Sequence, residues 1–249
     1  MKKILLLLSI FCLLGCSEED QSKASTDTPA QKDNFVVGKQ NIVVPTPKEL
    51  APVTPELGKV YQFYALLQEN ITKSSNGLVK PFKHYVSLSD LQEQRKMTRN
   101  CYIAQNAMAN EALGDEPLTD AQFKGIVEPI KQPQNRKTFL KYADKMSENM
   151  NKSFNQDGIR QLGVDIDIKN IKLADDEIFI IDEQPQVFAW IVPMSMDVHS
   201  STSNMLVSSG ILNLKGKLIY AYCYAMPDEL EWLRDVAMDW NQKLLEENK

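Results

Sequence analysis

Cysteine, histidine, serine and paired aspartate are the side chains of this 249-residue chain that can do chemistry, and their spacing limits what each can do. Asp197-Val198-His199-Ser200-Ser201-Thr202-Ser203 holds every residue type of a serine hydrolase triad within seven positions. A triad needs side chains that converge beside an oxyanion hole, and neighbours in sequence do not supply that geometry. No Gly-x-Ser-x-Gly elbow occurs in the chain, so the segment reads as a polar loop between two strands. A periplasmic hydrolase with an unrecognised site remains the alternative reading. The two histidines, His84 and His199, fall in segments of different character, which argues against a multi-histidine metal site. Asp165 and Asp167 lie on one side of a strand, but alternation with Ile166 and Ile168 explains them as its solvated face. They lack the glycine turn and terminal glutamate of an EF-hand loop. Asp175-Asp176-Glu177 reads as a turn. No catalytic residue, metal or cofactor is assigned.

Two cysteines, Cys101 and Cys223, stand in predicted strands. Paired, they would close a loop of about 120 residues and contribute on the order of 4 to 5 kcal/mol on the loop-entropy model. Unpaired, they would behave as two buried thiols packing like small apolar residues.

A third thiol has a different setting. Lys2 and Lys3 precede an apolar run, Ile4 to Leu14, which is too short to span a bilayer and fits a secretory leader. Its ending, Leu13-Leu14-Gly15-Cys16, resembles the lipobox of bacterial lipoproteins. That resemblance implies cleavage before Cys16, a diacylglycerol on its sulfur and further acyl chains such as palmitate, since one chain alone binds membranes only marginally. In that family an aspartate after the cysteine goes with inner-membrane retention; Ser17 here favours the outer membrane, with the domain in the periplasm.

Without Lys2 and Lys3 the chain keeps 26 basic residues against 33 acidic ones, a formal charge of −7. An acidic surface argues against nucleic acid and against direct docking on anionic headgroups. The expected partners are the membrane, through the lipid, and an envelope protein, peptide or lipid.

The organisation follows from composition and periodicity: a signal peptide at 1–15, a lipidated flexible tether at 16–39, and a single α+β domain at 40–249. Residues 17 to 39 hold few large apolar side chains, too few to offset the entropy of ordering them. As a coil they would span roughly 25 Å. Ile42-Val43-Val44 predicts a strand, and Thr54-Pro55-Glu56 a helix start with Leu57, Val60, Tyr61 and Tyr64 inward. Leu78 to Val86 predicts a strand that Pro81 confines to an edge. Arg99 to Met108 predicts another, with Cys101 and Ile103 on one face and Tyr102 and Ala104 on the other. Thr119-Asp120-Ala121-Gln122 resembles a capping box. Phe139, Ala143, Met146, Met150 and Phe154 form a helical stripe.

From Val164 the period is two. Strands are predicted from Val164, over Glu177 to Asp182, Gln186 to Val192, Met205 to Leu214 and Lys217 to Ala225, the last two joined by Lys215-Gly216. A terminal helix follows, with Leu230, Leu233, Ala237, Trp240 and Leu244 as its apolar stripe. These elements predict an antiparallel sheet of about five to seven strands with helices mainly on one face, ending in a hairpin and a long helix. That ending, behind a signal peptide, resembles the PsbP-like fold over roughly the last 90 residues. The likeness is architectural and implies no activity.

Phe188-Ala189-Trp190-Ile191-Val192 is apolar on both faces, so something must cover the second face. A loop or the N-terminal segment would do so, or the strand lines a groove for a lipid, peptide or protein. Tyr220, Tyr222 and Tyr224 share one face of the last strand, opposite Ile219, Ala221, Cys223 and Ala225. The small face suits the terminal helix; the tyrosine face would be second-layer core or a contact surface. Trp232, on the flank of the terminal helix, joins Phe188, Trp190 and the tyrosines as a candidate contact residue.

Overall fold

The computed structural model describes residues 32–92, 98–132, 135, 148–149, 168–174, 178–198 and 201–249. The described strands are β1 Lys32–Val37, β2 Gln40–Pro45, β3 Leu50–Pro52, β4 Val79–Ser87, β5 Asn100–Asn106, β6 Ile168–Leu173, β7 Phe179–Gln184, β8 Val187–Val198, β9 Ser201–Leu214 and β10 Lys217–Ala225. Helices α1 Lys59–Ser74, α2 Leu88–Gln92, α3 Ala107–Leu113 and α4 Asp120–Lys131 lie between them, and α5 Leu230–Glu247 ends the chain. Eight strands form one antiparallel sheet ordered β3-β4-β5-β10-β9-β8-β6, with β7 also on β8. The class is α+β, as predicted, with a sheet one strand beyond the expected range.

Local chemistry explains several boundaries. Thr119 accepts from the Gln122 amide while the Gln122 side chain returns a bond to Thr119, the capping box that starts α4. Lys215 and Gly216 both take positive φ, at 50° and 74°, giving the tight turn between β9 and β10. A Cβ on Gly216 would stand 2.5 Å from the Pro117 Cβ, so only glycine fits there. Pro81 sits where β4 pairs with β5 alone, because β3 reaches only Tyr85 to Ser87, and the register shifts just after it.

Cross-strand register builds two rows across the sheet. His84, Tyr102, Tyr222, Ser209, Trp190 and Ile180 stand side by side on one face. Tyr85, Cys101, Cys223, Ser208, Ile191 and Phe179 do so on the other. The second face carries α5: Leu233, Val236, Trp240 and Leu244 pack on Ile103, Leu212, Ile219 and Ala221. The first face carries α1 against β4 and β5, and α4 against β8 and β9.

Three expectations need correction. The stretch expected to be tether up to Lys39 is folded at its end: Lys32–Val37 is a strand paired with β2 along its whole length. Val37, Ile42 and Val44 are fully buried against α5, which supplies the apolar area that composition ahead of Phe35 lacked. Leu230 is exposed, because the helix proper starts there after a 3-10 turn over Pro227–Glu229. Pro55–Leu57 is likewise only a 3-10 turn; Gly58 breaks it from α1, and Tyr61 is turned outward. The stripe from Phe139 to Phe154 and the strand residues Val164 to Asp167 lie outside the described residues.

Candidate functional site

Of the residues proposed as a contact surface, Phe188 and Trp190 are interior, and Tyr220, Tyr222, Tyr224 and Trp232 are half-buried. Phe188 and Trp190 are 2% and 4% exposed, beneath Leu118, Phe123 and Val127. Their cover is the amphipathic helix α4 and its leading segment, so the apolar second face of β8 is core and not a groove. The Lys131 ammonium lies 5.6 Å from the Phe188 ring centroid and bonds Glu128 and Glu183, closing the end of that cover.

The tyrosine face is half-buried and packs against the core beneath α1 and α4. Tyr102 stacks on Tyr222 at 4.8 Å and on Tyr224 at 6.2 Å, and Tyr220 accepts a 2.7 Å bond from the Asn106 amide. Burial raises the pKa of all four phenols, that of Tyr224 to about 12 and those of Tyr102 and Tyr222 well above the ordinary value. They therefore stay neutral and act as packing groups with hydrogen-bonding ends. Trp232 is half-buried and already engaged. Its Nε1 donates to Glu49 at 2.9 Å, the Arg99 guanidinium lies 4.7 Å over its ring, and Arg99 also bonds Glu229 at 2.8 Å.

Cys101 and Cys223 are bonded, with Cα atoms 4.0 Å apart at register-paired positions of β5 and β10. The bridge joins the two central strands, where the N-terminal part of the sheet meets the C-terminal meander.

His84 sits in an aromatic cage that the sequence did not signal. Its ring lies 4.8 Å from Tyr64 and 5.1 Å from Tyr102, and the residue is 1% exposed. The Gln68 amide nitrogen lies 3.0 Å from Nδ1, so the neutral ring carries its proton on Nε2. Nε2 has no hydrogen-bond partner among the described residues. Burial pulls the imidazole pKa down to about 3. Among the described residues the neutral imidazole packs between Tyr64 and Tyr102 and bonds Gln68.

A cleft of about 500 Å³ opens beside the β9–β10 turn, lined by Pro117, Leu118, Asn213, Gly216 and Leu245 among others. Asn213 stitches its walls: its backbone N–H donates to the Gln186 carbonyl and its side-chain amide to the Leu118 carbonyl, both at 2.9 Å.

Among the described residues β7 pairs with β8 alone, and Phe179 and Ile180, where the two rows run out, are 52% and 44% exposed on opposite faces. The sequence had shown this segment only as a strand. The overlooked signal is the apolar quartet Ile178-Phe179-Ile180-Ile181 between Asp175-Asp176-Glu177 and Asp182-Glu183.

Cys16, His199, Asp165, Asp167 and Asp175 to Glu177 lie outside the described residues. Among the described residues no group of three or more His, Cys, Asp or Glu is placed to hold a metal ion. No helix among them is long and apolar enough to cross a membrane. No family model matches the chain, and no curated protein matches it.

Proposed function

We propose that this chain is a lipid-anchored protein of the bacterial envelope, tethered through Cys16, with its folded domain serving as a non-enzymatic binding or accessory module. The observation that carries the reading is Leu13-Leu14-Gly15-Cys16 closing a lysine-tipped apolar run. Two features support it. A disulfide between the central strands suits an oxidising compartment beyond the cytoplasm. Fifteen residues lie between Cys16 and the first strand, a length that as a flexible coil would span roughly 20 Å and hold the domain close to a bilayer. Ser17 favours the outer membrane. Replacing Cys16 by Ser and fractionating the cells tests the reading: the variant should leave the membrane fraction while its domain melts as wild type does. A variant that still sediments with membranes would overturn the anchor.

A further inference from the structure

We propose that this chain is a client of a protein thiol oxidase: a partner protein carrying a reactive disulfide transfers the Cys101–Cys223 bond to it before the sheet closes. Both strands that bear the bridge are interior. β5 lies between β4 and β10, and β10 between β5 and β9, so neither cysteine stands at a sheet edge. Cys101 is 0% and Cys223 2% exposed, in the core under α5 with Leu233, Val236 and Trp240. Thiol–disulfide exchange needs direct attack of a thiolate on a disulfide sulfur, so it depends on access. A protein active site cannot reach these sulfurs in the finished fold. The bond is therefore made before β10 enters the sheet and α5 covers it.

Until then the two thiols are far apart. Their sequence separation is 122, and a flexible coil of that length spans roughly 60 Å. The short β9–β10 hairpin does not bring them together, because it sets Cys223 opposite Ser208. Only the long-range pairing of β5 with β10 sets Cys223 opposite Cys101. Folding and oxidation compete at that step. A chain that docks β10 with both thiols reduced buries them as inert apolar groups. A thiol in an open chain is mostly protonated at neutral pH, so small disulfides oxidise it slowly. A protein disulfide whose leaving thiol has a low pKa exchanges faster and can win that competition.

The exchange balances in two steps. The thiolate of one cysteine attacks a sulfur of the partner's disulfide, forming a mixed disulfide and releasing the partner's other sulfur as a thiolate. The thiolate of the second cysteine then attacks the first cysteine's sulfur, closing the bridge and releasing the sulfur still bound. Two electrons and the two thiol protons pass to the partner, which leaves as a dithiol.

This inference rests on the reading of the chain as exported, so its main test is run outside the cell. The purified full-length protein in detergent is reduced in denaturant. It is then diluted into native buffer with a bacterial protein thiol oxidase in its disulfide form, or with glutathione disulfide at the same concentration. Alkylation and the masses of the peptides containing Cys101 and Cys223 follow the bridge. The oxidase should close it at least about tenfold faster than glutathione disulfide. Protein that was never unfolded should lose the bridge to dithiothreitol at least about a hundredfold more slowly in native buffer than in denaturant. Equal rates with the two oxidants, or reduction as fast without denaturant as with it, overturns the proposal. In bacteria that lack their thiol oxidase the two thiols should stay reduced, and in bacteria that have it they should be bridged; a bridge formed equally in both also overturns it. Thiols reduced in both strains, with the rates outside the cell as expected, would count against export instead.

Discussion

The indole Nε1 of Trp240 donates to the Pro45 carbonyl at 2.7 Å, joining the last helix to the β1–β2 hairpin. The same edge of β2 is closed twice more by side chains. Asn248 accepts from the Val43 N–H at 2.9 Å and donates to its carbonyl at 2.7 Å, and Lys215 donates to Asn41 at 2.8 Å. Those three contacts make the hairpin part of the folded domain.

Truncation should therefore be silent up to Lys32 and costly beyond it. A chain starting at Gln40 loses β1, the buried Val37 and the Phe35–Phe82 stack at 4.9 Å. Burying one such side chain is worth about 1.5 to 3 kcal/mol, so at least about 2 kcal/mol should be lost. Denaturant midpoints of chains starting at Ser17, Lys32 and Gln40 check this; equal midpoints for the last two would show that β1 contributes nothing.

Trp240 and Trp232 should separate in the same assay. Trp240 is fully buried and meets Tyr85 edge-on at 5.6 Å, so Trp240→Ala should cost about 3 to 5 kcal/mol. Trp232 is half-buried against Arg99 and Glu49 at the domain surface, and Trp232→Ala should cost less. A larger loss at Trp232 would contradict the packing of α5.

Acid should destabilise the fold through His84. Its folded pKa, about 3, lies below the ordinary value of 6.5, so the unfolded chain binds a proton that the folded chain refuses between those values. Stability from this group is complete above pH 6.5 and falls by about 1.4 kcal/mol per pH unit on the way down to about 3. His84→Gln should flatten the stability profile in that window relative to wild type. An imidazole resonance of His84 that titrates near 6.5 in the folded protein would refute the burial.

The disulfide closes a loop spanning a sequence separation of 122, and replacing both Cys101 and Cys223 by Ala should cost about 4 to 5 kcal/mol on the loop-entropy model. Chemical denaturation with and without the bridge measures it. A loss below about 1 kcal/mol would show that the unfolded chain gains little freedom when the link is removed.

Periodicity made the strands, the faces of β5 and β10, the α4 capping box and the β9–β10 turn legible. It did not show that β5 and β10 are neighbours, because alternation assigns a residue to a face and says nothing of which strand lies beside it. That gap left the pairing of Cys101 with Cys223 open. The β1–β2 hairpin was missed because composition was read over the whole stretch from Ser17 to Lys39. Phe35-Val36-Val37 and Ile42-Val43-Val44 around Gly38 are two short apolar runs about a turn. Whether Phe188 and Trp190 are covered core or a contact surface stays open in the sequence because their cover, α4, comes from distant sequence. The exposure of Phe179 and Ile180 went unnoticed since a strand's place in the sheet depends on partners that no local pattern encodes.

The central claim is the anchor at Cys16, and the mass of the intact protein from the membrane fraction tests it most directly. The account predicts a chain that begins at Cys16 and carries the added mass of a diacylglycerol and further acyl chains. A chain that retains residues 1 to 15, or one cut there whose Cys16 bears no lipid, would contradict it.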